Sequence, residues 1–148
     1  MKDVMKSMNK KRIMILHIIC PIVIGALVYC MVSPNVIFIK RMEDLIGGSV
    51  YMPVFRTDCA FLRLLRNYLP DMMWGYSLVF ALFCVAGNNV ADIWKVFWMA
   101  FIFSAVMEAM QKTSFIPGTF DVFDIFAEFL AEVAAIYIIH KSHSREEF

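Results

Sequence analysis

Four carboxylic acids are spaced along one apolar stretch of the chain, GTFDVFDIFAEFLAEVAA, which begins at Gly118. They are Asp121, Asp124, Glu128 and Glu132, and separations of three, four and four residues place them on one face of an α-helix. Acids held away from water in this way bind cations or relay protons. A carboxylate near the middle of a bilayer costs about 2.5–3.5 kcal/mol on insertion scales, so we expect the stripe to face the interior of a helix bundle.

Other polar residues are expected to lie level with the start of this stripe. They come from the beginning of a second apolar segment and from the end of a third. The predicted ligand-binding residues are Arg66, Asn67, Asp71, Glu108, Gln111, Asp121, Asp124 and Glu128. An acid-rich site favours cations, and the cofactor we expect is a divalent cation held by oxygen atoms of Glu108, Asp121 and Asp124.

Each of these acids also has a structural explanation. Asp121 and Asp124 fall at the start of a helix, where the helix dipole favours acids by about 0.3–1 kcal/mol. Glu108 and Gln111, spaced i and i+3, are suited to a hydrogen-bonded pair at a helix end. Glu128 lies beyond the first turn, so its structural alternative is a salt bridge or a carboxyl hydrogen bond inside the bundle.

The elements that position these residues are predicted to be membrane-spanning helices. Of the 148 residues, 61% are hydrophobic, and the mean hydropathy is +0.68, which is typical of a membrane protein. Four segments hold the roughly 17–25 mostly apolar residues that cross ~30 Å of hydrocarbon, and none alternates as a membrane strand does. The predicted spans are residues 13–32, 70–87, 93–111 and 119–139.

The predicted fold is all-α: a polytopic four-transmembrane-helix bundle that forms a single membrane domain of residues 1–148. The loop at residues 33–69 is too short for an independent domain. Its end, CAFLRLLRNYLPD, combines apolar residues with arginines three positions apart, which predicts a short interfacial helix.

Positive charge predicts the orientation of the bundle. The basic tail at residues 1–12 carries five lysines and arginines, which places it in the cytoplasm. Four spans return the tail at residues 140–148 to the same side, so both termini are predicted to be cytoplasmic. The loop at residues 33–69 is then extracytoplasmic, although its own five basic residues are a contrary signal.

The sequence lacks the residues that several kinds of chemistry require. The sequence has no phosphate-binding glycine loop, nucleophile elbow, HExxH motif or basic nucleic-acid patch, so we expect no nucleic-acid partner. Paired carboxylates can do acid–base work, but no nucleophile is identifiable, and catalysis is not expected. The four cysteines lack CxxC spacing and are expected to be small buried hydrophobes. His140 and His143 are expected to be solvated.

The spacing of the polar residues resembles that of the VanZ-like membrane proteins. That family's pattern is Glu-x-x-Gln, a loop, and then Asp-x-x-Asp-x-x-x-Asn-x-x-Gly-x-x-x-Gly. This chain has Glu108-x-x-Gln111, a loop, and then Asp121-x-x-Asp124-x-x-x-Glu128-x-x-Ala131-x-x-x-Ala135. The likeness covers mainly residues 67–139 and implies a small multi-pass protein of the bacterial cytoplasmic membrane. The family's founding member is associated with low-level resistance to teicoplanin-type glycopeptide antibiotics.

The chain departs from the family's pattern at several positions. Glu128 stands where the family usually has Asn, which adds acidity. Ala131 and Ala135 replace two glycines but keep a small-x-x-x-small surface, which predicts the close approach of another helix. The arginine often found before the first Asp is missing from FIPGTFD, and Arg63 or Arg66 is the candidate positive partner in its place.

Three functional hypotheses follow. The first is a pocket on the extracytoplasmic side that binds a cationic group, an envelope-lipid headgroup or an envelope precursor, to which the resemblance adds a link with glycopeptide resistance. The second is a small proton- or cation-coupled transporter in which Glu128 and Glu132 descend towards the midplane, and four helices are so few that it would need a homodimer. The third is a non-catalytic membrane subunit whose Ala131 and Ala135 face packs against a partner.

Overall fold

The computed structural model describes residues 2–32, 44–48, 60–113 and 120–144. This part of the chain contains helices and turns but no strand, which confirms the all-α prediction. A short helical turn at residues 44–46 and a 3₁₀ turn, Val90–Asp92, accompany four long helices. The long helices are α1 (Lys2–Val32), α2 (Ala60–Val85), α3 (Ile93–Lys112) and α4 (Val122–Ser144).

Three segments of these helices are long and apolar enough to cross a bilayer. They are Lys11–Tyr29 in α1, Asn67–Val85 in α2 and Val90–Lys112, which covers the 3₁₀ turn and α3. The chain is therefore a small multi-span helical membrane protein. The fourth predicted span lies in α4, which carries three acids and is not among these segments, so its crossing stays a prediction.

The surface of α4 supports that prediction. As far as Val133, its exposed residues are large and apolar, and they include Phe126 and Leu130, whereas Glu128 and Glu132 are buried on the opposite side. Lipid favours this arrangement because it keeps carboxyl groups out of the hydrocarbon. The 23 residues of α4 give a helix about 34 Å long, enough to cross ~30 Å of hydrocarbon.

Two helix boundaries differ from the predicted ones. The helix predicted near the end of the first long loop is present, but it continues directly into the second span as α2, which begins at Ala60 rather than near residue 70. Pro70 lies inside α2, where its ring removes one backbone donor. At the amino end, α1 begins at Lys2, so most of the predicted basic tail is helical.

Helix α2 is the centre of the bundle, since it contacts α1, α3 and α4. Two glycines mark the points of close approach. A Cβ atom built on Gly25 of α1 would lie 3.2 Å from Cβ of Met73, and one built on Gly75 of α2 would lie 3.3 Å from Cα of Glu128. Without side chains at these positions, α1 and α4 pack directly against the backbone of α2.

The apolar core and the buried acids occupy different levels of the bundle. The core cluster consists of Met14, Val79, Phe80, Phe83, Ile93, Val96, Ala100, Ala135 and Ile139. Apart from Met14 of α1, these residues come from the later turns of α2 and α4 and from the first turns of α3, so they lie towards the end of the bundle that holds the α2–α3 turn. The acids lie towards the other end, which we call the acidic end.

The polar residues of the α2–α3 turn have structural roles. Gly87 and Asn88 have φ angles of 86° and 61°, in the left-handed region that glycine and asparagine tolerate. Asn89 caps the 3₁₀ turn by accepting a hydrogen bond from the backbone N–H of Ala91 at 3.0 Å. The geometry of the turn therefore accounts for both asparagines.

Candidate functional site

Glu108 links the last turn of α3 to the start of α4. Its Oε1 accepts a hydrogen bond from the backbone N–H of Asp121 at 2.8 Å, and its Oε2 accepts one from the side-chain amide of Gln111 at 2.9 Å. The side chain is buried, with 6% exposure, so both bonds are shielded from water. The structural explanation of the Glu108 and Gln111 pair therefore fits the geometry.

Asp121 caps α4. Its Oδ1 accepts a hydrogen bond from the backbone N–H of Phe123 at 2.9 Å, and its backbone carbonyl accepts one from the N–H of Asp124. These bonds satisfy N–H groups that have no partner inside the helix, which is the usual role of an aspartate at this position. Asp121 thus has a structural role at the helix start.

Three further acids form what we call the carboxyl cluster: Asp71 of α2 with Asp124 and Glu128 of α4. The charge of Asp71 interacts with that of Asp124 and with that of Glu128, and the charge of Glu108 interacts with all three. Glu128 is buried, with 8% exposure, and the two aspartates are half-buried. Like charges at this range repel one another, so an ionised cluster favours the binding of a cation.

The backbone packing explains why the carboxyl cluster forms. Helix α4 approaches α2 at Gly75, where a side chain would press on Glu128. Asp71 lies four residues before Gly75, and Asp124 lies four residues before Glu128, so the two aspartates lie one turn nearer the acidic end on their helices.

A second polar group lies deeper in the bundle. Glu132 is fully buried, and its Oε1 accepts a hydrogen bond from the hydroxyl of Ser104 in α3 at 3.1 Å. The same hydroxyl interacts with Glu128, so Ser104 lies between the two carboxyl groups. Within the described residues, Oε2 of Glu132 and the buried hydroxyl of Ser77 have no hydrogen-bond partner. Such atoms cost about 1–3 kcal/mol each and are uncommon in folded proteins.

Ser77 and Ser104 were not among the predicted site residues. Both are 1% exposed. In the sequence each is a single serine within an apolar helix, and nothing in that pattern distinguishes it from a small residue without a function. Hydroxyl groups in spans commonly bond across helices, so their position in an apolar run is a weak signal at most.

The predicted site residues are only partly brought together. Asp71, Glu108 and Asp124 meet at the acidic end, and Glu128 lies beside them. The side chains of Asn67 and Arg63 are exposed, and the side chain of Arg66 lies outside the described residues. The ion pair between Lys95 and Asp92, at 2.6 Å, lies at the other end of the bundle.

The expected divalent-cation site is not assembled. Among the described residues, no group of three His, Cys, Asp or Glu side chains is placed to hold a metal ion. The predicted ligands were Glu108, Asp121 and Asp124. Both oxygens of Glu108 and one oxygen of Asp121 accept protein hydrogen bonds instead, so they point to the backbone and to an amide rather than to a shared centre.

The surface of Ala131 and Ala135 is occupied by the protein itself. The two residues are 4% and 0% exposed because α4 packs there against the rest of the bundle. The predicted close approach of another helix is therefore present, but the helix belongs to this chain. A partner protein cannot use this face, and the form of the third hypothesis that depends on it is wrong.

Two histidines take part in packing. The Nδ1 atom of His17 in α1 lies 2.8 Å from the hydroxyl of Tyr76 in α2, and the imidazole stacks on Phe80 with ring centres 4.5 Å apart. Cys20 lies one turn further along α1. We predicted that it would be buried, but it is exposed.

At the carboxyl end of α4, His140 is exposed, in agreement with the prediction. His143 is half-buried against the ring of Phe83, with ring centres 5.7 Å apart, so it is not simply solvated.

The fold and the buried acids define a class, the small multi-span helical membrane proteins with carboxyl groups inside the bundle. No protein-family model, curated protein or solved structure matches the chain. The resemblance to the VanZ-like proteins therefore stays a prediction, as does the side of the membrane that the acidic end faces.

Proposed function

We propose that this protein binds a cationic group at the carboxyl cluster of Asp71, Asp124 and Glu128, which opens to the extracytoplasmic side. The observation that carries the proposal is the contrast within the acidic end. Glu108 and Asp121 use their oxygens in hydrogen bonds within the protein, whereas the charge of Asp71 on α2 interacts with those of Asp124 and Glu128 on α4.

Charge and burial explain why a cation suits this position. Two unit charges 4 Å apart attract by about 4 kcal/mol at an effective dielectric constant of 20, against about 1 kcal/mol in water. An ammonium group provides three donors for carboxylate oxygens, which accept hydrogen bonds without donating. An ammonium group on an envelope lipid or on an envelope precursor is therefore the ligand that we propose.

Binding of radiolabelled ethylammonium to the protein in phosphatidylcholine nanodiscs tests the proposal. We expect saturable binding that Asp124→Asn weakens by about tenfold, the ratio given by a loss of 1.4 kcal/mol. Asp92→Asn is the matched control, because it makes the same change at the other end of the bundle, where the acid pairs with Lys95. Equal binding by the two variants, or no saturable binding, would show the proposal to be wrong.

Arg66 requires its own test, because an arginine that pairs with the cluster would take the place of a ligand. We expect Arg66→Gln to leave ethylammonium binding unchanged. Tighter binding by this variant would identify the arginine as the cluster's own partner and would contradict the proposal.

A second function, proton- or cation-coupled transport, is supported by Glu132 and Ser104. They extend the polar groups from Glu128 towards the middle of the bundle, as relay carboxyls do in transporters. The test follows proton entry into proteoliposomes with an internal pH dye under an imposed membrane potential. We expect Glu132→Gln to abolish entry and Ser142→Ala, an exposed position in α4, to leave it intact. Entry no faster than in empty liposomes would exclude this function.

A link to glycopeptide resistance is supported only by the resemblance to the VanZ-like proteins. We propose that expression of the chain raises the teicoplanin concentration that a susceptible host survives, and that Asp124→Asn removes the increase. Unchanged susceptibility would separate this protein from the role associated with that family's founding member.

A further inference from the structure

Two glutamates and a serine are buried together inside the bundle, and we call them the buried triad: Glu128 and Glu132 of α4 with Ser104 of α3. Their exposed fractions are 8%, 0% and 1%, in that order. A separation of four residues places the two glutamates one turn apart on the same face of α4. Because the three side chains are shielded from solvent, they depend on one another for hydrogen bonds.

The hydroxyl group of Ser104 connects the two carboxyl groups. Its Oγ atom lies 3.1 Å from Oε1 of Glu132, and it also interacts with Glu128. A hydroxyl group has one hydrogen to donate and two lone pairs that accept. Ser104 can therefore donate a hydrogen bond to one carboxyl group while it accepts one from the other.

The surroundings of the buried triad are acidic. Asp71 of α2 and Glu108 of α3 both act electrostatically on Glu128, and Glu132 adds a negative charge from α4 itself. Towards α2, Glu128 packs against the backbone of Gly75, which has no side chain. If both glutamates of the triad were ionised, two like charges would share one hydroxyl donor. A single proton on the pair removes this repulsion and leaves the donor for the remaining carboxylate.

The second oxygen of Glu132 indicates where this proton rests. Glu132 is fully buried, and its Oε2 has no hydrogen-bond partner among the described residues. A buried oxygen without a partner costs more when it is charged than when it is the carbonyl oxygen of a neutral carboxyl group. The favoured arrangement therefore has the proton on Oε1 of Glu132, which donates to Ser104, while Ser104 donates to the carboxylate of Glu128.

We infer that the buried triad is a proton-binding site in which Glu128 and Glu132 share one proton through the hydroxyl group of Ser104. The inference rests on the second proposed function, transport, and it names the proton as the ion and the atoms that hold it.

Transfer within the triad follows from its geometry. The proton on Oε1 of Glu132 passes to Oγ of Ser104, and the hydroxyl proton of Ser104 passes to a carboxylate oxygen of Glu128. Two O–H bonds break and two form, so the serine stays neutral. The negative charge moves from Glu128 to Glu132, one turn further along α4, and no other reactant is required.

Infrared spectroscopy of the full-length protein in phosphatidylcholine liposomes tests the inference at neutral pH. A neutral carboxyl group has a C=O stretching band that an ionised carboxylate lacks. Glutamate labelled with carbon-13 at its side-chain carboxyl shifts this band, so the difference between labelled and unlabelled protein excludes the aspartates. We expect a neutral glutamate band in the wild type and none in the double variant with Glu128→Gln and Glu132→Gln.

The two single variants test whether the proton is shared. We expect Glu128→Gln and Glu132→Gln each to keep the wild-type band area, because the remaining acid takes the proton. Two independently protonated glutamates would instead lose half of the area in each single variant, and a proton fixed on Glu132 would be lost only in Glu132→Gln. Either result would overturn the inference. Glu108→Gln is the matched control and should keep the area, because both oxygens of Glu108 accept hydrogen bonds from N–H groups.

Variants of Ser104 test the connecting hydroxyl. Ser104→Ala removes the donor that stabilises the ionised member of the pair, so a second proton should bind and the band area should rise about twofold. Ser104→Thr keeps a hydroxyl group and should keep the wild-type area. An unchanged area in Ser104→Ala would show that the serine does not connect the acids, and the inference would be wrong.

Two comparisons separate this inference from its alternatives. If replacing choline by Na⁺ in the buffer abolishes the neutral band, a metal ion occupies the triad and the inference is wrong. If the band areas are as expected but the wild type shows no proton entry into proteoliposomes, the shared proton stands and transport is wrong. If proton entry depends on Glu132 but the two acids bind protons independently, transport stands and the inference is wrong.

Discussion

Substitutions at Glu108 distinguish a residue that stabilises the fold from a residue that binds a ligand. Its buried carboxylate accepts hydrogen bonds from Asp121 and Gln111, at 2.8 and 2.9 Å. Hydrogen bonds to a charged group contribute about 1.5–3 kcal/mol each, and the loss of an acceptor leaves the N–H of Asp121 unpaired. We therefore expect Glu108→Ala to lower the free energy of unfolding by about 2–4 kcal/mol, below the sum of the separate terms, because the two bonds share one side chain.

Glu108→Gln is the matched variant. The new amide still has a carbonyl oxygen for the N–H of Asp121, and Gln111 can present its own carbonyl to the new NH₂ group. Both contacts persist without the charge, so we expect a loss of about 1 kcal/mol. Ethylammonium binding should fall less in this variant than in Asp124→Asn, because the oxygens of Glu108 already accept protein hydrogen bonds. Asp124→Asn should keep its stability and weaken binding by about tenfold.

The assay is reversible unfolding in mixed micelles of dodecyl maltoside and dodecyl sulfate, followed by tryptophan fluorescence. One hydrogen bond to a charged group contributes more than about 0.5 kcal/mol. If the free energy of unfolding of Glu108→Ala lies within that amount of the wild-type value, the two bonds do not hold the helices together. If Glu108→Gln keeps its stability but loses ethylammonium binding, Glu108 is a ligand-binding residue, and our assignment of its role is wrong.

Three further substitutions test other parts of the bundle in the same unfolding assay. Ser104→Ala removes the hydrogen bond to buried Glu132 and should cost about 1–3 kcal/mol, and a neutral result would mean that the bond is not formed. Gly75→Leu places a side chain against Glu128. It should lower the free energy of unfolding by about 1–3 kcal/mol or more and should also weaken ethylammonium binding. A variant with native stability would contradict the close approach of the two helices. Tyr76→Phe loses its bond to the histidine of α1 and should cost about 0.5–1.5 kcal/mol without any effect on ethylammonium binding, and reduced binding would show that the α1–α2 contact reaches the cluster.

Hydropathy predicted the helices of this protein well because a membrane span is a long local signal. The predicted end of the first span, Val32, and the predicted start of the third, Ile93, coincide with helix ends in the structure. The continuation of the interfacial helix into the second span was not predicted, because a proline inside a helix removes a backbone donor and usually interrupts it. Pro70 stays inside α2, where it packs against Gly25 and costs the helix one donor.

The part of the candidate site that could be predicted is the part that depends on helical periodicity. Spacing placed Glu128 and Glu132 on one face of α4, and both are buried as expected. Spacing cannot show that Glu108 binds a backbone N–H of Asp121, because that contact depends on how two helix ends meet. Nor can it distinguish the buried Ser104 from the exposed Ser142.

The inward acids of α4 also bear on how the protein is assembled in its membrane. Each acid near the bilayer centre costs about 2.5–3.5 kcal/mol when its helix is inserted alone, so α4 is a poor candidate for independent integration. Its inward face is covered by α2 and α3, and Ser104 supplies the hydrogen bond to Glu132. We expect α4 to wait at the membrane surface during synthesis until α2 and α3 are in place, so that two of the three acids of the carboxyl cluster enter the bilayer after the third.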